Sequence, residues 1–263
     1  MTPDSVQVTR DGPVALLRFA RPDRYNAFDL AAIRALGEAV DKAVADPTVR
    51  CLLITGEGRA FCAGGDVAEM AEKGEKAFEH FRDLTEHHHP LVRTLSTCPK
   101  PVVVAVNGVA AGGGVGIALA GDYRLGGASA KFRAAYLRLG VSPDGGATYL
   151  LPRLAGLAAA QRFFYRNEAL AAEEALRLGL LHEVVPDAEL PARALAVARE
   201  MAALPLQAFA RTKALLSTTL GSPDQLQDHL DAERHLISEC ATGPEYREGA
   251  RAFAEKREPR FLP

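Results

Sequence analysis

FCAGGD (Phe61–Asp66) and VAAGGGVG (Val109–Gly116) decide how this chain is read. Each follows an apolar, strand-like run, RCLLIT (Arg50–Thr55) for the first and VVVAV (Val102–Val106) for the second. Each then leads into a stretch that can be helical. Glycine and alanine at a strand-to-helix turn let a ligand approach the main chain closely, and a helix N-terminus leaves N–H groups unpaired. Two such turns can aim two donors at one oxygen atom. That is the geometry of an oxyanion hole, and it predicts chemistry at a carbonyl group. Taken singly, such turns are more often only tight turns, so the surrounding sequence has to decide.

Working outward, Val6–Thr9 and Val14–Phe19 read as strands around the turn Asp11-Gly12. Leu30–Val44 has helical spacing (Leu30, Ile33, Leu36, Val40, Val44), with Asp29 as its N-cap. Glu69 to about Glu86 is polar and is predicted to be mobile. A helix through Leu91 and Leu95 follows and ends before Pro99 and Pro101. After VVVAV and the second turn come a helix over Val115–Ala120, strands near Tyr123–Leu125 and Ala130–Phe132, and the loop LGVSPDGGAT (Leu139–Thr148). Helical patterns then dominate: Ala147–Leu154, Ala158–Arg166, Ala172–Leu178, Leu190–Ala203, Leu206–Leu220, Asp224–Cys240 and Glu245–Glu255. Leu180–Val185 is one more strand-like run. A strand-rich part before a helix-rich part predicts a layered α/β core over residues 1–204 and a helical C-terminal region over residues 205–263. No internal repeat is legible.

The 263 residues suffice for one large domain or a domain with an appendage, and 48% apolar with 24% charged residues is an ordinary globular balance. A net charge of −2 gives no sign of a nucleic-acid partner, while leaving room for a local basic patch facing a phosphorylated ligand. Cys51, Cys62, Cys98 and Cys240 lie far apart without a CxxC pair, so neither a metal site nor a disulfide framework is expected, and a reducing cytoplasm is the default. The N-terminus MTPDSVQVTR carries Asp4 and lacks an apolar signal core. Val102–Gly121 holds no charge over twenty residues, but six glycines and Asn107 interrupt it. Strand, turn and buried helix is the better reading than a membrane span.

Six segments together carry a family likeness: RPDRYNAF (Arg21–Phe28), LLITGEGRAFCAGGD (Leu52–Asp66), KPVVVAVNGVAAGGG (Lys100–Gly114), SPDGGATYLLPRLAG (Ser142–Gly156), the pattern A-x-E-A-x-x-x-GL-x-x-x-VV (Ala172–Val185) and EYREGARAFAEKREPRF (Glu245–Phe261). With these the chain resembles the crotonase (enoyl-CoA hydratase/isomerase) superfamily over nearly its whole length. The resemblance implies a spiral core of ββα units, a helical C-terminal trimerisation region, and a homotrimer or homohexamer. It also implies an acyl-CoA thioester ligand whose coenzyme A belongs to the substrate, with no further cofactor. Carried over by position, the oxyanion donors are the N–H groups of Ala63 and Gly113, with Gly112 and Gly114 open as alternatives to Gly113. Gly65 and Asp66 fall in the substrate-binding segment, Asp66 being read chiefly as a helix cap or loop anchor. Arg24 sits where the family approaches the coenzyme A phosphates. Phe253 and Lys256 match positions that contact the coenzyme A of a neighbouring subunit.

In the hydratases of this family two glutamates hold the water that adds to the double bond; the matching positions here are Gly116 and Tyr136. Hydration is therefore not expected. Asp144, in SPDGGAT, matches an aspartate of several isomerases, and HPLVRTL, SPDGGATYLLPR and EYREGARAF look especially like those acting on ring-epoxidised phenylacetyl-CoA. One carboxylate can take a proton from one carbon of an enolate and return it at another, and a base beside an apolar wall is expected to have a raised pKa. Pro-Asp-Gly-Gly is also ordinary turn sequence. Tyr136 is read as pocket lining, as a hydrogen-bond donor or as core packing. Cys62 is read as a buried neighbour of the turn. His87, His88 and His89 are read as a solvated helix face, one of them reaching the acyl pocket being the lesser case. Two other functions compete: hydrolysis with Asp144 as a nucleophile, as in aromatic acyl-CoA dehalogenases, and a non-catalytic CoA-binding trimer.

Overall fold

The apolar runs beside the two glycine turns become neighbouring strands, and the remaining chain winds around them. The computed structural model describes residues 5–219 and 222–261. It opens with β1 (Val6–Asp11), β2 (Val14–Phe19), α1 (Leu30–Ala45), β3 (Cys51–Gly56), β4 (Ala60–Cys62), α2 (Val67–Glu72) and α3 (Ala77–Thr97). β5 (Val102–Val106), β6 (Val109–Ala111), α4 (Gly113–Leu119), β7 (Tyr123–Gly127), β8 (Lys131–Arg133), α5 (Ala147–Ala155) and α6 (Leu157–Arg166) follow. β9 (Leu170–Ala171), α7 (Ala172–Arg177), β10 (Glu183–Val185), α8 (Leu190–Ala202), α9 (Leu206–Thr219), α10 (Pro223–Cys240) and α11 (Pro244–Ala254) complete the chain. Asp4, and Leu220 at the expected end of one helix, lie outside the described residues.

The strands form a six-stranded sheet in the order β1-β2-β3-β5-β7-β10 and a four-stranded sheet in the order β4-β6-β8-β9. β1 and β2 are antiparallel, whereas β2, β3, β5, β7 and β10 run parallel. β3, β5 and β7 are each followed a few residues later by a short strand of the second sheet, and then by helix. This is a repeat in space that leaves no repeat in sequence. Both faces of the large sheet are covered, which is why its strands read as unbroken apolar runs. Leu53, Val103 and Leu125 pack against Leu190, Ala194 and Val197 of α8, while Leu52, Ile54, Val102 and Val104 join the main core with α1 and α3. Asp29 caps α1 by accepting from the Ala32 N–H at 2.8 Å. The uncharged run after Lys100 is β5, β6 and α4, and no helix among the described residues is long and apolar enough to cross a membrane.

The segment expected to be polar and mobile, Glu69 to Glu86, is instead largely helical. α2 starts at Val67, and α3 runs unbroken from Ala77 to Thr97 with Pro90 inside it. The reason is a buried stripe that hydropathy alone hides: Ala77, His80, Phe81, Leu84, Thr85, His88, Leu91, Val92 and Leu95 recur at helical spacing, and polar side chains occupy several of its places. Thr85 satisfies its own hydroxyl by donating to the Phe81 carbonyl at 2.9 Å. α10 packs along α3, and its Leu226, Leu230 and Ile237 enter the same core, as do Tyr246 and Ala250 of α11.

Candidate active site

RPDRYNAF folds back over the first glycine turn and fixes its main chain. Asn26, buried and left-handed, donates its side-chain amide to the carbonyls of Ala60 at 2.7 Å and Glu57 at 2.9 Å. The Ala63 N–H donates to the Tyr25 carbonyl at 3.1 Å, the Phe28 N–H to Gly64 at 2.8 Å, and the Asp66 N–H to Phe28 at 2.9 Å. Ala63 is therefore not an available donor, contrary to expectation, because its N–H closes the clamp. Among the described residues, no acceptor takes the N–H of Gly65. In the second turn the Gly112 N–H is spent on the Arg133 carbonyl at 3.2 Å, and Gly114, where a Cβ would lie 2.3 Å from the Cys62 carbonyl oxygen, is not among the residues that line the same cavity as Gly113. Gly113, the first residue of α4, keeps an unpaired N–H. The turns abut: a Cβ at Gly64 would lie 3.1 Å from the Gly113 nitrogen. Gly65 and Gly113 line one cavity of about 800 Å³ together with Phe28, Tyr136 and Asp144.

Asp144 reaches this cavity from the loop before α5, with its side chain 13% exposed. Tyr136, buried and also lining the cavity, donates its hydroxyl to the Asp144 carbonyl at 3.0 Å. Two histidines of α3 approach the same carboxylate oxygen, His88 Nδ1 at 3.6 Å and His89 Nε2 at 3.9 Å from Oδ2. The solvated-face reading holds only for His87, which accepts from Arg34 Nε at 2.9 Å on the surface. His88 and His89 are buried because 88 and 89 fall on the core stripe of α3. The expected rise in the Asp144 pKa is also reversed. Burial pushes the carboxyl up, but the His88 imidazole facing it at 3.6 Å holds it below its ordinary value.

His89 is the contrary case. Burial drives its pKa down to about 3, and its Nε2 accepts from the Gly145 N–H at 3.3 Å, so the neutral ring carries its proton on Nδ1. His88, His89 and Asp144 place one potential metal-ligand atom each within 4.8 Å of one another, although the Gly145 hydrogen bond already occupies that nitrogen of His89. Because the folded pKa of His89 is depressed, the unfolded chain binds the extra proton. The stability this group contributes is whole above about pH 6.5 and falls by roughly 1.4 kcal/mol per pH unit below it, down to the folded value. Urea unfolding at about pH 7.5 and about pH 5.5 should show this slope in the native chain and a flatter one in His89→Gln. Equal slopes would remove His89 as its source.

Glu233 of α10 belongs to the same structure, although its sequence position carries no recognisable motif. It accepts from the Gly146 N–H at 2.7 Å and from the Thr148 hydroxyl, so it braces both ends of the turn after Asp144. A signal was present: Glu233 stands in the stripe Leu226, Leu230, Glu233, Ile237, and a carboxylate on an apolar helix face needs partners. Two glycines set how closely the loop can approach. A Cβ at Gly116 would lie 1.9 Å from the Gly145 carbonyl oxygen, and one at Gly145, where φ is +69°, would lie 2.2 Å from His88 Cε1. The hydratase-glutamate position is thus filled by the main chain of the Asp144 loop.

The remaining expected residues lie around this centre. Asp66 caps α2 by accepting from the Glu69 N–H at 3.4 Å, and it takes Arg21 at 3.3 Å and Arg24 at 3.0 Å on its other oxygen. Arg24, 58% exposed, is held there and is not among the residues lining the cavity. Phe253 and Lys256 line the cavity's C-terminal rim. Burial pushes the Cys62 thiol up to about 12, which leaves it protonated and inert.

The family described as Enoyl-CoA hydratase/isomerase matches residues 9–262. Over 249 residues, 94% of each chain, the sequence is 39% identical to a 1,2-epoxyphenylacetyl-CoA isomerase of Escherichia coli (strain K12). It is 38% identical over 248 residues, again 94% of each chain, to a probable enoyl-CoA hydratase of Rhodobacter capsulatus. The crystal structure of an enoyl-CoA hydratase from Mycobacterium avium subsp. paratuberculosis K-10 superposes with a TM-score of 0.87 at 33% identity, covering 98% of this chain and 99% of that one. Fold, motifs and relatives agree along nearly the full length, and the chain belongs to the enoyl-CoA hydratase/isomerase family, with its crotonase-like α/β architecture and helical C-terminal region.

Proposed function

We propose that this enzyme is an acyl-CoA isomerase that works through a thioester enolate, with Asp144 as the acid/base. The observation that carries the reading is the convergence of Asp144 with the unpaired N–H groups of Gly65 and Gly113 on one cavity. Gly65 takes the place first assigned to Ala63. The carboxylate of Asp144 takes a proton from the α carbon of a 3-enoyl thioester. The C–H electrons pass into the conjugated enolate, and the charge on the thioester oxygen is met by the two N–H groups. Asp144 then returns the proton at the γ carbon, leaving the double bond between α and β. A rearranging ring-derived acyl group follows the same logic.

Asp144 and, at the C-terminal rim, Glu258 are the carboxylates among the described lining residues, and Glu258 pairs with Arg138. No second carboxylate stands beside Asp144 to hold a hydrating water. Hydrolysis with Asp144 as nucleophile needs a basic nitrogen free to activate water. His88 Nε2 is engaged with the Gly113 carbonyl, His88 Nδ1 faces Asp144 Oδ2 itself at 3.6 Å, and His89 accepts from the Gly145 N–H through Nε2 and so carries its proton on buried Nδ1, which argues against that route. A homotrimer or homohexamer is the assembly we favour, and Leu215 of α9 and Leu236 of α10, 70% and 51% exposed, support a subunit contact through the C-terminal helices. Four unpaired cysteines support a cytoplasmic setting.

The test is a panel of enoyl-CoA and aromatic acyl-CoA thioesters in deuterated solvent. The expected result is double-bond or ring isomerisation with no hydration, and with deuterium at the γ carbon of the 2-enoyl product and at the α carbon of recovered substrate. Net hydration would overturn the reading, as would tight thioester binding without any exchange.

A further inference from the structure

We infer that His88 is the positioning residue of this site, sharing one proton with Asp144 and tying that carboxylate to the main chain of Gly113. The inference rests on the Asp144 reading above and deepens it. His88 Nε2 lies 3.1 Å from the carbonyl oxygen of Gly113. A carbonyl can only accept, so Nε2 carries a hydrogen. The ring cannot turn away from this arrangement, because it is wedged between the two loops. A Cβ at Gly113 would lie 2.8 Å from its Cε1 and one at Gly145 2.2 Å, and Phe28 packs on it with ring centroids 5.2 Å apart.

Nδ1 then faces Asp144 Oδ2 at 3.6 Å, and no hydrogen-bond partner among the described residues takes it. A neutral ring protonated on Nε2 would present a lone pair to the oxygen of an ionised carboxylate, two acceptors buried face to face. One proton between the two atoms removes the conflict. With that proton on Nδ1, Asp144 is ionised while its Oδ2 is held, and both histidine contacts fall on Oδ2. Oδ1 is the oxygen left for the substrate carbon. The proton His88 holds never enters the product, so the reaction stays balanced with Asp144 as sole carrier.

The charged and titratable groups around the ring are few. Asp144 and Tyr136 come from the loop before α5, and His89 from α3 itself, with ring centroids 5.8 Å away. Glu233 and Arg234 come from α10, and the Glu233 carboxylate is committed to Gly146 and Thr148. α4 contributes only the Gly113 carbonyl. None of these replaces the His88 proton at Oδ2. The carboxyl of Asp144 accordingly lies below its ordinary value in spite of its burial.

The experiment compares the pH dependence of kcat and KM in the native enzyme, His88→Gln and Asp144→Asn, with deuterium exchange measured on each. Glutamine can still donate to the Gly113 carbonyl but has no proton to share with Asp144. The expected result is an acid limb of kcat/KM that moves up by at least about one pH unit in His88→Gln, roughly a tenfold loss of kcat on that limb, and KM within about twofold. An unmoved profile in His88→Gln, with exchange abolished in Asp144→Asn, overturns the role of His88 and leaves the Asp144 reading standing. Exchange that survives Asp144→Asn overturns both. Nitrogen-15 spectra of histidine in the native enzyme decide the matter without relying on a variant's folding. A proton on both nitrogens of His88 at neutral pH is expected, and Nδ1 bare beside an ionised Asp144 overturns the inference.

Discussion

Asp144→Asn should lower isomerase turnover and solvent deuterium exchange by about 10²–10⁴-fold, the usual contribution of a positioned acid/base group. The substitution should leave the fold intact. The Tyr136 hydroxyl, the Gly145 N–H and the Gly146 N–H all bond without using the Asp144 side chain. The asparagine amide can also donate toward His88 Nδ1, so no buried acceptor pair is created. In the native enzyme the base is the ionised form, which is present above its pKa. That pKa is held below the ordinary carboxylate value, so kcat/KM should stay level down to about pH 5 with respect to this group. A variant that keeps exchange within tenfold of native, with an unchanged melting temperature, would remove Asp144 from the chemistry.

Gly116→Glu should fail to create a hydratase, although it restores a glutamate at the position where the family's hydratases carry one. The Cβ alone would sit 1.9 Å from the Gly145 carbonyl oxygen and 2.8 Å from its carbonyl carbon, both main-chain atoms that cannot swing aside. The loop bearing Asp144 would have to move. Gly116→Ala is the sharper probe, since it adds only the colliding atom. It should cost about 1–3 kcal/mol of stability through overpacking. It should also lower kcat by about 10²-fold, because a shift of an ångström at the base is enough to spoil the reacting geometry. Native melting temperature and native turnover in Gly116→Ala, or measurable hydration in Gly116→Glu, would contradict this account.

The two cases mark how far the sequence could be read. Most strands and helices followed from periodicity and turn chemistry, because β3, β5 and α1 bury regular apolar patterns whose period is set by the backbone itself. α3 was only partly legible. Its core stripe includes His80, Thr85, His88 and His89, and hydropathy counts those residues as surface. The proposed first donor moves from Ala63 to Gly65 for a different reason. Whether Ala63 or Gly65 keeps a free N–H depends on Tyr25 and Phe28 returning across the turn, a pairing between segments far apart in the chain. Glu233 was legible only as a carboxylate on an apolar helix face; its place in the site depends on α10 meeting a loop 87 residues earlier.

By itself, then, the sequence determined the strand-turn-helix units, the α/β core with its helical C-terminal region, the family, and the absence of carboxylates at positions 116 and 136. Those properties are local, or follow from residue identity at a fixed spacing. Only the tertiary structure decided which main-chain N–H groups remain unpaired, that two buried histidines stand against Asp144, and that the Asp144 loop fills the space at Gly116. Hydrogen-bond competition, burial and close packing arise from segments brought together in folding, so no single stretch of the chain contains them.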